Sequence, residues 1–365
     1  MAQSLVDRVL DVACAIQQIP APTFREHQRA LFVRDLFNGA GLSEVEIDGD
    51  GNVYARRPGA ANGRPALLVT AHTDTVFPTD TPLTLIRAPE RIRGPGIGDN
   101  SLGVAGLMGL IWALEGERLP ADVLLAANVC EEGLGDLRGM RRVMERLGNR
   151  VKATIVIEGM ALGHIYHQGI GVRRYRFTTR AEGGHSWLNF GRASAIHALV
   201  RFGAKLTHLS VPSAPKTTFN IGTISGGTSI NTIAREASFD LDLRSESPPA
   251  LADAVKNVEA MVASFHEDGV KLEYQVIGDR PSGVLAREHP LPQLASRALS
   301  EVGVTHSFES GSTDANIPLS QGRPCVCIGL TYGANAHRPD EYIETQPLSK
   351  GLTALANTVR GALQL

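Results

Sequence analysis

Four uninterrupted apolar runs stand out along the chain: Pro65–Ala71 (PALLVTA), Asp122–Cys130 (DVLLAANVC), Ala153–Ile157 (ATIVI) and Pro324–Leu330 (PCVCIGL). Runs of this length without alternation suit strands buried on both faces of a parallel or mixed sheet. Helical spacing lies between them. Ser101–Leu114 carries Leu102, Ala105, Leu107, Met108, Leu110 and Ile111, and Leu137–Leu147 is basic and amphipathic. Strands and helices in this order predict a layered α/β domain. The N-terminal stretch MAQSLVDRVLDVACAIQQIP is interrupted by Asp7, Arg8 and Asp11, and no cleavage pattern follows. It reads as an amphipathic first helix rather than a secretory leader.

The middle of the chain has another rhythm. Val172–Arg180 (VRRYRFTTR), Phe219–Ser225 and Ala237–Arg244 (ASFDLDLR) alternate, as half-exposed strands do. Ala193–Leu209 and Leu251–His266 have helical spacing, and Lys271–Ile277 reads as a last strand. The order β-α-β-β-α-β suits a small two-layer domain. It is placed at residues 168–280, inserted into a larger domain made of residues 1–167 and 281–365.

Composition narrows the function. The 365 residues exceed one ordinary core and suggest about two domains. Lys plus Arg is 36 and Asp plus Glu is 38, a net charge of -2. This balance gives no electrostatic reason to expect nucleic acid or an anionic membrane as partner. No run is long and apolar enough for a membrane span. Cys14, Cys130, Cys325 and Cys327 have neither knuckle nor disulfide-scaffold spacing, and read as thiols of a cytoplasmic protein.

The chemistry lies in where acids and histidines fall. His72 and Asp74 follow the first apolar run, Glu131 and Glu132 the second, and Glu158 the third; His337 comes shortly after the fourth. In an open α/β sheet, ligands bind beyond the carboxyl ends of the strands. Asp99, in GPGIGDNSLG, adds to this edge just before a helix. Each residue also has a plain alternative. Asp74 could be a turn residue, Asp99 a helix N-cap, Glu131–Glu132 a solvated pair, Glu158 an exposed strand end, and His72 and His337 surface histidines. Those alternatives do not predict a common edge. Imidazole nitrogens and carboxylate oxygens suit Zn²⁺, and also Co²⁺ or Mn²⁺. Two ions roughly 3.5–4 Å apart can activate a water and polarise a carbonyl, with one further carboxylate acting as general base.

At these residues the chain resembles the cocatalytic-zinc amidohydrolase and exopeptidase family. Its members include aminoacylase, carboxypeptidase G, acetylornithine deacetylase, succinyl-diaminopimelate desuccinylase and peptidase T. The resemblance runs in order through AHTDTV, GPGIGDNSLG, EEGLGD, VIEG, GGHSW, INTIAREASFDLDLRS, GSTDAN and GANAHRPDEYI. It implies a zinc-exopeptidase-type mixed-sheet α/β/α catalytic domain with an inserted ferredoxin-like lid. His72, Asp99 and Glu158 would bind one ion, and Asp99, Glu132 and His337 the other. Asp74 would orient His72, Glu131 would be the general base, and a cis peptide would follow Asp99. The inserted domain would be a lid and homodimer interface. In it His185 would stabilise the oxyanion, and Asn231 and Arg244 would hold a substrate carboxylate. Backbone N–H groups of Gly311, Ser312 and Thr313 would face the same substrate. Without the resemblance, His185 and Asn231 read as loop residues, Arg244 as a sheet-surface ion pair and Gly311–Thr313 as a turn. Two positions depart from the family pattern: Ser101 stands where many relatives have Lys, and Ala334 where relatives often have His.

Glu158 and Arg244 lean the substrate toward an N-acyl amino acid or a peptide with a free carboxylate, because aminopeptidase-type relatives tend to have Asp at the former position. The wording EEGLGDLRG is similar to peptidase T, so di- or tripeptide aminopeptidase action is the alternative. A non-catalytic metal-binding relative is a third reading.

Overall fold

A computed structural model describes residues 4–60 and 63–365. The predicted first helix is Leu5–Gln17, and its predicted start at Met1–Gln3 lies outside the described residues. The chain divides into two compact units: residues 4–169 with 283–365, and residues 170–282. The seam falls two residues later, at both ends, than the spacing places it.

The first unit is built on a nine-stranded mixed sheet. Its centre is four mutually parallel strands in the spatial order Val123–Asn128, Ala66–His72, Val151–Glu158 and Cys325–Gly329. These are the four apolar runs. Val123–Asn128 and Ala66–His72 are buried throughout, which is why neither alternates. Other strands flank them: Ser43–Ile47 and Val53–Arg57 on one side, His164–Gly169, Gly283–Val284 and Ser307–Gly311 on the other. One face of the sheet is covered by a large core that includes Val9, Phe37, Leu107, Leu299 and Leu352, from five helices. Met140, Val143 and Leu147 of helix Arg138–Leu147 pack on the other face, against Leu68 and Leu124. Because the central strands are parallel, their carboxyl ends share one edge.

The inserted unit has strands Gly171–Ala181, Thr217–Gly226, Glu236–Ser245 and Val270–Arg280, with helices Ala195–Leu206 and Pro248–Ala263. All strand pairs are antiparallel, and in space the order is second, third, first, fourth. Alternation in Glu236–Ser245 follows its one buried face. Tyr175, Phe177, Phe202, Phe239 and Leu243 form a core of the unit's own. No helix among the described residues is long and apolar enough to cross a membrane.

Candidate active site

The parallel edge carries His72, Asp74, Glu131, Glu132 and Glu158, each at or just after the end of a central strand. His72 is the last residue of its strand and is buried. Its Nε2 lies 3.1 Å from Asp99 Oδ1 and 3.7 Å from Glu158 Oε2. Half-exposed His337 has Nε2 3.1 Å from Asp99 Oδ2 and 3.2 Å from Glu132 Oε1. Three overlapping trios could each hold an ion: His72–Asp99–Glu158, Asp99–Glu132–His337, and His72–Glu131–Glu132. The two oxygens of Asp99 thus face different imidazoles.

Asp99 is not a helix cap. The following helix, Gly103–Ala113, has Leu102 at its N-cap with no side-chain hydrogen bond. Asp99 sits instead in an irregular turn, and the Asp99–Asn100 peptide is cis. Asn100 ties this turn to the strand that ends in Glu158. Its Nδ2 donates to Ile157 O at 2.9 Å, and its Oδ1 accepts from Gly159 N at 2.8 Å. The carboxylate of Glu341 accepts from the N–H groups of Gly98 and Asp99.

Asp74 does more than orient His72. His72 Nδ1 is 3.1 Å from the Asp74 carbonyl and 3.4 Å from its Oδ1. The same carboxylate accepts the N–H groups of Glu131 and Glu132, both at 2.9 Å, and the Thr23 hydroxyl at 2.9 Å. One buried acid therefore places three of the site residues. Glu26 braces the preceding residue: its Oε1 accepts from Cys130 N at 3.1 Å. Cys130 has a φ of 58°, so the chain turns sharply before Glu131.

The electrostatics are those of a cation site. Burial, then the neighbouring Asp99 charge, pushes the Glu132 carboxyl up to about 7 against the pull of His337. Burial, with the charges of Asp99 and Glu131, pushes Glu158 to about 7 against His72. Burial also works against the charged form of Asp99, but contacts with His337 and His72 hold its carboxyl well below the usual range. Contacts with Asp99 and Glu132 raise His337 to about 10. Five carboxylates, of Asp74, Asp99, Glu131, Glu132 and Glu158, crowd around two imidazoles, and the imidazoles alone cannot balance them if all are ionised. Divalent cations ligated by these N and O atoms would, so the donor set fits a metal pair.

Gly311, Ser312 and Thr313 belong to the first unit, and His185, Asn231 and Arg244 to the inserted one. Gly311 ends strand Ser307–Gly311, and two residues on the Thr313 N–H donates to Asn316 Oδ1 at 3.1 Å. Ser312 lies between them. In the inserted unit, exposed His185 accepts at Nδ1 from Trp187 N and Leu188 N, at 3.2 and 3.3 Å. Asn231 Oδ1 accepts from the Ser229 hydroxyl at 2.9 Å. Arg244 Nε donates to Asp242 Oδ2 at 2.7 Å, which is the ion pair that its plain reading expects.

The family profile of peptidase family M20/M25/M40 matches residues 68–361. The chain belongs to this family. The matched range spans the parallel sheet edge, the inserted unit and His337. An M20/M25/M40 relative, N-acetyl-L-citrulline deacetylase of Xanthomonas campestris pv. campestris, is 28% identical over 87% of this chain and 87% of its own. Aminopeptidase PepT of Bacillus cereus has the same fold, with a TM-score of 0.77, 21% identity and 98% of each chain covered. So does the Bacillus subtilis YXEP protein, a dinuclear metal binding peptidase, with a TM-score of 0.69, 18% identity and 99% of each chain covered. The chain is a hydrolase of the M20 type, and its candidate ligand trios lie at the sheet edge.

Proposed function

We propose that the protein hydrolyses the amide bond of an N-acyl amino acid or of a small peptide with a free carboxylate, using two divalent cations, zinc foremost. The observation that carries this reading is the geometry of Asp99, whose two oxygens each lie 3.1 Å from a different imidazole. One carboxylate can thus be shared by His72, Asp99 and Glu158 on one side and Asp99, Glu132 and His337 on the other. When bound, such a pair supplies Lewis acidity to the scissile carbonyl and lowers the pKa of the attacking water. Glu131, buried and with its main chain held by Asp74, takes the proton of that water and passes it to the leaving nitrogen.

His185 is the oxyanion donor of this reading. Its Nδ1 accepts two main-chain N–H groups, which leaves the ring proton on Nε2 as a donor. Arg244 and Asn231 would read the substrate carboxylate, with Nε of Arg244 steadied by Asp242. Glu158 and the deacetylase relative favour N-acyl substrates over unblocked peptides. A homodimer through the inserted unit is supported by its exposed Trp187, Leu188, Phe190 and Ile230. Four free thiols support a cytoplasmic location.

A hydrolysis screen tests the reading. N-acetyl, N-succinyl and N-formyl amino acids are set against unblocked di- and tripeptides, with Zn²⁺, Co²⁺ and Mn²⁺. Cleavage of an N-acyl compound is expected; cleavage of unblocked peptides alone replaces this reading with the aminopeptidase one. Glu131→Gln should lower kcat by about 10²–10⁴-fold with metal content unchanged. Near-normal turnover in that variant removes Glu131 as the base, and fewer than two ions per wild-type chain removes the metal pair.

A further inference from the structure

Glu341 lies four residues beyond His337 and takes no part in the ligand trios. Its side chain is completely buried. Oε1 accepts two main-chain hydrogen bonds, from Gly98 N at 2.7 Å and Asp99 N at 2.8 Å, across more than 240 residues of chain. Oε2 is buried with no hydrogen-bond partner. An acid in such a place is expensive, because burial disfavours its charged form and only main-chain N–H groups of this turn answer it. A well-packed apolar side chain would serve stability better. What an apolar residue cannot do is accept two N–H groups at one point.

That point is where Asp99 is presented. The turn that carries Asp99 is pinned on its far side by Asn100, which grips Ile157 O and Gly159 N around Glu158. Glu341 pins the near side. Its own main chain is anchored as well: Glu341 N donates to Arg338 O at 3.0 Å and Glu341 O accepts from Gly94 N at 2.9 Å. The adjoining strand Tyr342–Glu344 pairs with Arg91–Arg93. The segment that brings in His337 and the segment that brings in Asp99 are therefore joined by main-chain bonds, and one carboxylate oxygen of Glu341 extends that joint to Gly98 and Asp99 themselves.

We propose that Glu341 is a positioning residue for the metal pair: by accepting the Gly98 and Asp99 N–H groups it holds Asp99 where both of its oxygens meet their imidazoles, and so sets metal affinity. This rests on the reading of Asp99 as the shared ligand. A purely structural role would lower stability without a selective effect on metal binding.

Three variants separate the possibilities. Glu341→Gln keeps an acceptor oxygen in place, Glu341→Asp withdraws it by about 1.5 Å, and Glu341→Ala removes it. Affinity for Co²⁺ is measured by competition with a chelating indicator, the visible cobalt bands report ligand geometry, and the melting temperature of each chelated protein reports the fold. Residues that orient metal ligands typically contribute about 10–100-fold in affinity. A loss of that size, with altered cobalt bands, is expected for Asp and Ala, and a loss within about threefold for Gln. Two ions bound with wild-type affinity in the Asp or Ala variant overturn the proposal. So does a Gln variant as weak as the Ala variant, since charge rather than acceptor geometry would then matter. If Glu341→Ala does not fold, the Gln and Asp pair decides. A wild-type chain that takes up fewer than two cobalt ions overturns the metal-pair reading itself, whereas wild-type uptake of two with unaffected variants overturns only the role of Glu341.

Discussion

Glu132, Glu158, His72 and His337 hold protons in the metal-free protein that their isolated side chains would release. His337 is raised from 6.5 to about 10, so its pairing contributes stability in full below about pH 6.5 and loses it as pH climbs through about 10. Glu132 and Glu158 are raised from 4.5 to about 7, so folding favours their neutral forms; that contribution is complete below about pH 4.5 and lost as pH rises through about 7. Both effects run the same way. Asp99, held low, gives up its contribution only in strong acid. The chelated protein should therefore melt at falling temperature from about pH 5 to about pH 10. Zinc should oppose the fall, because its ligands must lose those same protons and affinity rises over the same window. Calorimetry with chelator and with zinc checks this, and a chelated protein whose melting point rises across that range contradicts it. At this scale the sequence shows which residues gather, since His72, Asp74, Glu131, Glu132 and Glu158 each stand at or just after an apolar run. It does not show Glu26, Asn100 or Glu341. Their work is done on main-chain N–H and C=O groups far away in sequence, and no spacing rule records such a bond.

Between elements, the contact that matters most for the site is one without side chains. A Cβ placed on Gly159 would come within 2.2 Å of Gly98 O and 2.8 Å of Leu102 Cβ. The end of the Glu158 strand and the turn bearing Asp99 thus touch backbone to backbone, and only glycine permits it. Gly159→Ala should force them apart, lowering stability by about 1–3 kcal/mol and weakening metal binding at the trio that includes Glu158. Thermal unfolding and metal titration of that variant test the claim, and a variant that binds metal normally would falsify it. Element-level legibility followed burial. The four central strands read clearly because both faces are covered, and the strand Glu236–Ser245 because one is. Ser43–Ile47, His164–Gly169 and Ser307–Gly311 lie toward the sheet's margins, where burial is partial and the apolar signal thin. Helices His27–Gly39, Pro290–Glu301 and Leu348–Ala362 carry no chemistry-bearing motif and are not marked by the apolar runs, although the last buries Leu352, Leu355 and Val359.

For the molecule as a whole, the decisive feature is the seam. Gly169 and Gly283, the last and first residues of the larger unit around the insertion, are antiparallel partners in one sheet. A short linker of about 2–4 residues can therefore replace residues 170–282, the length of a tight hairpin connection. The shortened chain keeps every candidate ligand and lacks His185, Asn231 and Arg244. It should bind two metal ions and fail to hydrolyse the substrate of the full chain. Metal analysis beside an activity assay reads both outcomes, and retained turnover would remove the inserted unit from catalysis. The excised segment has its own aromatic core and should fold alone, as circular dichroism would show. The two adjacent ends also give the chain a cassette. An exchange at those two neighbouring junctions would replace His185, Asn231 and Arg244 as one set and leave the acids and imidazoles of the sheet edge untouched. New substrate preferences can arise in such a lineage by exchange rather than by gradual rebuilding of a catalytic centre.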